Sequence, residues 1–176
     1  MLLNLGELRE DYNQGELWES QAAADPFQQF GLWFQEAVQA EVPEPNAMVL
    51  STATPDGRPS ARVVLLKEVE SEGFVFYTNF ESRKAQDMAA NAHVALTFNW
   101  LKLHRQIRIE GLVEKVDADT SKAYFQSRPK GSQIGAWASP QSQIISGREV
   151  LENKVKTLEE TYQDATQLPL PPHWGG

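Results

Sequence analysis

The sequence contains no cysteine, which excludes a disulfide scaffold, thiolate catalysis and cysteine-held zinc or iron–sulfur centres. It has only three histidines, His93, His104 and His173. They form no i, i+4 pair and sit beside no carboxylate motif, so no metal site is expected. No apolar run approaches the roughly 18–20 residues of a membrane-spanning helix. The opening stretch, residues 1–8, lacks the basic and long apolar regions of a signal peptide, so a cytoplasmic protein is expected. Gly-x-Ser-x-Gly, the phosphate-binding loop of nucleoside triphosphatases and Gly-x-Gly-x-x-Gly are all missing, which removes the main support for hydrolase and nucleotide-triphosphatase readings. There is no internal repeat and no low-complexity tract.

What is present is an ordinary globular composition. The 176 residues are 41% hydrophobic, 23% charged and 10% aromatic. That length fits one domain of about 100–200 residues and suffices to bury a core without metals or disulfides. The formal net charge of −8 argues against a general nucleic-acid binder. The charge is uneven, however. Residues 1–57 carry one basic side chain, Arg9, against ten acidic ones. Residues 58–108 carry eight basic side chains (Arg58, Arg62, Lys67, Arg83, Lys84, Lys102, Arg105, Arg108) against five acidic. A positive island in an acidic chain fits either a small anionic ligand or a salt-bridged sheet surface.

Residues 1–24 read as a loosely ordered, acidic arm and residues 25–176 as a single domain. Asp25-Pro26 starts a helix, with Asp as N-cap and Pro at the first helical position; Phe27, Phe30, Phe34, Ala37 and Val38 recur at helical spacing to about residue 41. From Ala47 the period changes to that of strands: 47–54, 60–67 and 74–78, joined by hairpin-length turns. A short helix over 82–90, capped by Ser82, precedes strands over 93–100 and 104–116. In the last of these, Gln106, Arg108 and Glu110 alternate with Ile107 and Ile109. Helices are expected over 120–127 and 146–162, with an irregular segment over 132–138. The fold class is α+β, antiparallel strands with peripheral helices, with a small barrel as the expected sheet.

Two constellations point to chemistry. Ser82-Arg83-Lys84 places two cations in the first turn of a helix, against its dipole. An anion there would reverse the sign, meeting free N–H groups, a hydroxyl, a guanidinium and an ammonium; the alternative is a surface turn with two solvated cations. Tyr124 and Arg128 lie four apart on one helix face, and Ser132 follows just beyond Pro129, so these three side chains can clasp a second phosphate. Arg62 and Lys67 flank Val63, Val64, Leu65 and Leu66. An odd separation on an unbroken strand puts them on opposite faces, serving two different neighbours.

Arg62-Val-Val-Leu-Leu-Lys67, Phe76-Tyr-Thr-Asn79, Ser82-Arg-Lys84, Arg105-Gln106 and the long run Tyr124-Phe-Gln-Ser-Arg-Pro-Lys-Gly-Ser-Gln-Ile-Gly-Ala-Trp-Ala-Ser139 resemble the pyridoxine/pyridoxamine 5′-phosphate oxidase family, from about residue 25 to Gly176. The resemblance implies an FMN-binding split β-barrel, Greek-key-like and homodimeric, with FMN in clefts between subunits. The implied activity is oxidation of pyridoxine or pyridoxamine 5′-phosphate to pyridoxal 5′-phosphate by O2, giving H2O2, and NH3 from the amine. The implied FMN site comprises Arg62, Val63, Val64, Leu65, Leu66, Lys67, Tyr77, Thr78, Arg83, Lys84, Gln106, Gln141 and Ser142, with Arg83 and Lys84 on the phosphate. The implied substrate-phosphate site comprises Lys67, Tyr124, Arg128 and Ser132. No side chain is singled out as catalytic, because the flavin carries the redox chemistry.

The family pattern continues past Trp-Gly-Gly with a further strand pair bearing a flavin-contacting Trp and an Arg-Leu-His-x-Arg motif, which this sequence does not contain. A chain truncated at Gly176 is therefore expected. The alternative reading is an FMN- or pyridoxal-phosphate-binding split-barrel protein with weak or no oxidase activity.

Overall fold

Asp25 accepts hydrogen bonds from Phe27 N (3.2 Å) and Gln28 N (3.3 Å), satisfying amides that the first helical turn leaves without partners. With Pro26 at the first position, this fixes the start of helix α1, Pro26–Gln39. The computed structural model describes residues 16–70 and 73–176. The expected N-terminal arm falls outside them up to residue 15; Glu19–Gln21 forms one 3-10 turn.

The remaining elements are strands β1 (Ala47–Ala53), β2 (Pro59–Leu65), β3 (Glu68–Val69), β4 (Phe74–Val75) and β5 (Thr78–Asn79), helix α2 (Arg83–Ala90), strands β6 (His93–Trp100) and β7 (Arg105–Leu112), helices α3 (Ala118–Ser127), α4 (Lys130–Ala138) and α5 (Arg148–Thr161), and strand β8 (Trp174–Gly175). The main sheet has the order β2-β1-β6-β7, and two small sheets pair β3 with β4 and β5 with β8. β1 pairs antiparallel with β2, Leu50 opposite Arg62, and with β6, Leu50 opposite Leu96. No helix among the described residues is long and apolar enough to cross a membrane.

The chain divides into two compact units. One comprises the described residues up to Pro45 together with Phe98–Ile107. Its core is aromatic: the Phe30 ring lies 5.1 Å from Phe98 and 6.1 Å from Trp100, and Phe34 meets Trp100 edge-on. Within α1, Phe30 and Ala37 are buried, whereas Val38 is exposed. The second unit comprises Asn46–Thr97 and Arg108–Gly176. Met48, Leu50 and Leu96 are buried from the sheet, and Phe125, Ile134, Leu168 and Trp174 form a cluster against which Tyr77, Tyr124, Val155 and Leu158 pack.

Four local expectations need correction. The expected strand 74–78 is broken into β4 and β5, because its two ends pair with different partners, Phe74–Val75 with β3 and Thr78–Asn79 with β8. The expected strand 104–116 is shorter. His104 adopts a left-handed conformation before it (φ 48°), and after Leu112 the backbone leaves the sheet, with Val113 N donating to Ala92 O and Val116 N to Gly176 O. Residues 132–138 are not irregular but lie within α4. Gly131 and Gly135 lower helix propensity by about 1 kcal/mol each, but burial of Gln133, Ile134 and Ala138 outweighs them. Ser82 holds the N-cap position of α2 as expected, but its side chain makes no capping hydrogen bond; its fully buried hydroxyl donates instead to Asn79 O at 2.7 Å.

Strand β8 lies antiparallel to β5, with Thr78 opposite Gly175 and Asn79 opposite Trp174. A Cβ on Gly175 would lie 2.7 Å from the Phe80 ring and 3.1 Å from Ser121 Oγ. Glycine here is what lets the strand approach so closely.

Candidate functional site

A cleft of about 960 Å³ opens in the second unit. That volume is at the upper end of the roughly 300–1,000 Å³ typical of ligand sites. One side is β2, which among the described residues pairs only with β1 and so forms an edge; Arg62, Val63, Val64, Leu65 and, just past its end, Lys67 line it. Val63 and Leu65 are exposed on the outward face. They supply an apolar wall beside the backbone N–H and C=O groups that an edge strand leaves unpaired.

Arg62 belongs to the inward face of β2. It donates from Nη1 to Leu50 O (2.9 Å), Thr52 Oγ1 (2.9 Å) and Ser60 O (3.1 Å), and from Nη2 to Ser60 Oγ. Asp87, buried on α2, lies 3.9 Å from Nη2 and accepts the Thr52 hydroxyl at 2.8 Å. Desolvation holds the Arg62 guanidinium below its ordinary value, with Asp87 opposing and Arg83 reinforcing the shift. Arg62 and Lys67, expected to serve different neighbours, are brought to the same cleft. Both line it, because β2 ends at Leu65 and strand alternation no longer governs Lys67.

The start of α2 brings Arg83 and Lys84 to the cleft. Lys84 Nζ donates to Ser82 Oγ (3.1 Å) and to Gln141 Oε1 (2.5 Å). Its pKa is lowered, first by burial and then by the Arg62 charge. Arg83 is exposed. Gln141 and Ser142 come from the segment after α4, where Ser142 holds a left-handed φ of 65°. This is a conformation that a non-glycine residue adopts rarely, and more often at functional positions.

The corner between α3 and α4 contributes Tyr124, Arg128 and Ser132. Tyr77 stacks on Tyr124 at 3.9 Å, and Trp174 lies parallel to both at 5.4 and 6.1 Å. The Arg128 guanidinium sits 4.8 Å from the Trp174 ring centroid, a cation–π geometry. Its Nη1 is buried and has no hydrogen-bond partner among the described residues. Desolvation lowers the Arg128 pKa, with Tyr124 opposing. A buried guanidinium nitrogen without an acceptor is costly, and the residue that carries it lines the cleft.

Of the residues expected from sequence, Arg62, Val63, Val64, Leu65, Lys67, Tyr77, Thr78, Arg83, Lys84, Gln141, Ser142, Tyr124, Arg128 and Ser132 all line this cleft. Leu66 is buried in the core instead, and Gln106 is exposed on β7 and is not among the lining residues. Sequence reasoning missed Asn79, Ser139 and Trp174, which also line it. Asn79 and Ser139 lay inside the motifs already noted, but Trp174 depended on a pairing that no local pattern reveals.

A sequence profile of the pyridoxamine 5′-phosphate oxidase family matches residues 34–162. The chain belongs to this family. A pyridoxine/pyridoxamine 5′-phosphate oxidase of Acaryochloris marina is 54% identical over 173 residues, covering 98% of this chain and 78% of that protein. Among solved structures, PhzG from Burkholderia lata 383, in complex with tetrahydrophenazine-1-carboxylic acid, superposes with a TM-score of 0.84 at 26% identity, covering 91% of this chain and 79% of that one. A pyridoxamine 5′-phosphate oxidase-related, FMN-binding protein from Nostoc punctiforme PCC 73102 shares the fold, with a TM-score of 0.59 at 16% identity over 74% of this chain and 72% of that one. The fold is the α+β split barrel of these oxidase-like proteins.

Proposed function

We propose that this chain is an FMN-dependent oxidase of pyridoxine 5′-phosphate and pyridoxamine 5′-phosphate, acting as a cytoplasmic homodimer. The observation that carries the reading is the supply of two separate cationic centres to one cleft. Lys84 and Arg83 stand at the start of α2, and Arg128 stands at the α3–α4 corner with an unsatisfied buried nitrogen. Two phosphates need two such centres, and a ring-on-ring complex needs the flat apolar and aromatic surface between them.

The residues present fit FMN. Arg83 and Lys84 would hold its phosphate. The apolar edge of β2 would lie along its ring system, where free backbone groups can meet ring heteroatoms. Lys67, Tyr124, Arg128 and Ser132 would hold the substrate phosphate. When bound, FMN would supply the redox chemistry, hydride acceptance from the substrate carbon beside the pyridine ring with O2 as the final acceptor. The sums are R–CH2OH + O2 → R–CHO + H2O2, and R–CH2NH2 + O2 + H2O → R–CHO + NH3 + H2O2. The chain's own contribution is orientation. Anchoring both phosphates fixes the reacting carbon without need of a side-chain acid or base, and such positioning is a large source of rate.

In the dimer, Gln106, exposed on β7, would complete the cleft of the second copy. The test is direct. Purified protein titrated with FMN should quench flavin fluorescence to a stoichiometry of about one per chain and then generate peroxide with either phosphate ester. Protein that takes up no flavin overturns the reading. Flavin uptake without peroxide assigns the chain to ligand binding instead.

A further inference from the structure

Gln133 is almost fully buried in α4, where a long polar side chain is disfavoured unless its amide is satisfied. It is. Its Nε2 donates to Arg128 O at 2.7 Å and to Gln126 O at 3.3 Å, and its Oε1 accepts from Leu168 N at 2.7 Å. The two carbonyls belong to the end of α3, which runs out of helical partners there. One amide group therefore ties the end of α3, the body of α4 and the segment at Leu168 into one joint. Arg128 is the residue at that joint, with its backbone held by Gln133 from one side and its guanidinium backed by Trp174. The side chain beyond this anchor ends in the buried Nη1, which has no partner among the described residues.

We propose that Gln133 is a positioning residue: by holding the Arg128 carbonyl it fixes where the Arg128 guanidinium stands, and so sets affinity for the phosphate ester. It touches neither substrate nor flavin. The inference rests on the reading of Arg128 as the substrate-phosphate ligand. A leucine at 133 keeps the bulk but loses all three hydrogen bonds. A glutamate keeps the shape; ionised, it donates to neither carbonyl, whereas protonated it donates to one. Burial raises a carboxyl pKa, which brings that switch into an accessible pH range.

The test uses the full chain loaded with FMN and pyridoxal 5′-phosphate as the probe, with binding read by calorimetry. Gln133→Leu should weaken pyridoxal 5′-phosphate binding by about tenfold, the order of one misplaced charge-assisted contact, while the FMN dissociation constant stays within about twofold. Gln133→Glu should show a similar deficit at pH 8 that shrinks toward wild type at pH 6, taken as the ratio to wild type at each pH so that ionisation of the ester itself cancels. Parallel losses of FMN and pyridoxal 5′-phosphate affinity, with no recovery at low pH, overturn the proposal and leave Gln133 a stabilising residue only. Arg128→Ala separates the two levels. If it weakens the probe while both Gln133 variants bind normally, this proposal alone fails; if it leaves the probe unaffected, the assignment of the substrate site fails, and this proposal with it.

Discussion

Lys84 carries the cleft's most testable single charge. Its ammonium is desolvated and faces Arg62, so its pKa lies below that of an ordinary lysine. Only the protonated form attracts a phosphate, and a bound phosphate in turn favours protonation. FMN affinity should therefore be full below the depressed Lys84 pKa and fall as pH rises through it, earlier than for a solvated lysine. Lys84→Arg, whose charge persists through this range, should flatten that decline, as fluorescence titrations of FMN at pH 7 to 10 would show. A decline of equal steepness in the arginine variant would move the effect to another group. Individual residues such as this one were the most legible part of the sequence, because Arg83-Lys84 and the Tyr124/Arg128/Ser132 spacing are local. Gln133 was not legible. A glutamine in a chain of ordinary polarity reads as surface, and nothing local marks the carbonyls that it serves.

At the scale of elements, α2 is fastened to the sheet through a three-residue chain: Thr52 on β1 donates to Asp87 on α2 and accepts from Arg62 on β2. Asp87→Asn keeps an acceptor for the Thr52 hydroxyl but removes the charge that offsets Arg62 at 3.9 Å. Stability should fall by about 1–3 kcal/mol, the order of leaving a buried polar group poorly compensated. Urea denaturation of the apoprotein measures it. FMN affinity should not weaken, because the cleft becomes more positive; a weaker affinity together with unchanged stability would place Asp87 in the ligand site instead. Elements with their own caps and periodicity, such as α1 and the β1–β2 hairpin, were legible from residue types alone. The broken strand at 74–78 and the two-residue β8 were not. Their boundaries follow from which strand each half pairs with, β3 for β4 and the distant β8 for β5, and two residues are too few to carry a period.

At the scale of the molecule, the placement of Gln106 bears on whether the proposed FMN site draws on one chain or two. It is exposed on β7 and absent from the cleft lining, although the family resemblance assigns it to FMN. A dimer in which each cleft borrows Gln106 from the other copy reconciles the two. Closed two-fold assembly makes the borrowing mutual. On that arrangement Gln106→Ala and Lys84→Ala, each alone, lose FMN affinity in both sites of their homodimers. Unfolded together in equal amounts and refolded, half of the dimers are mixed. Each mixed dimer holds one cleft with Lys84 from one chain and Gln106 from the other, and a second cleft with neither. About a quarter of all clefts should then bind FMN tightly, counted by fluorescence titration against wild type treated in the same way. If Gln106 served the cleft of its own chain, or none, mixing would restore no tight sites, and the count would stay at the level of the separate variants.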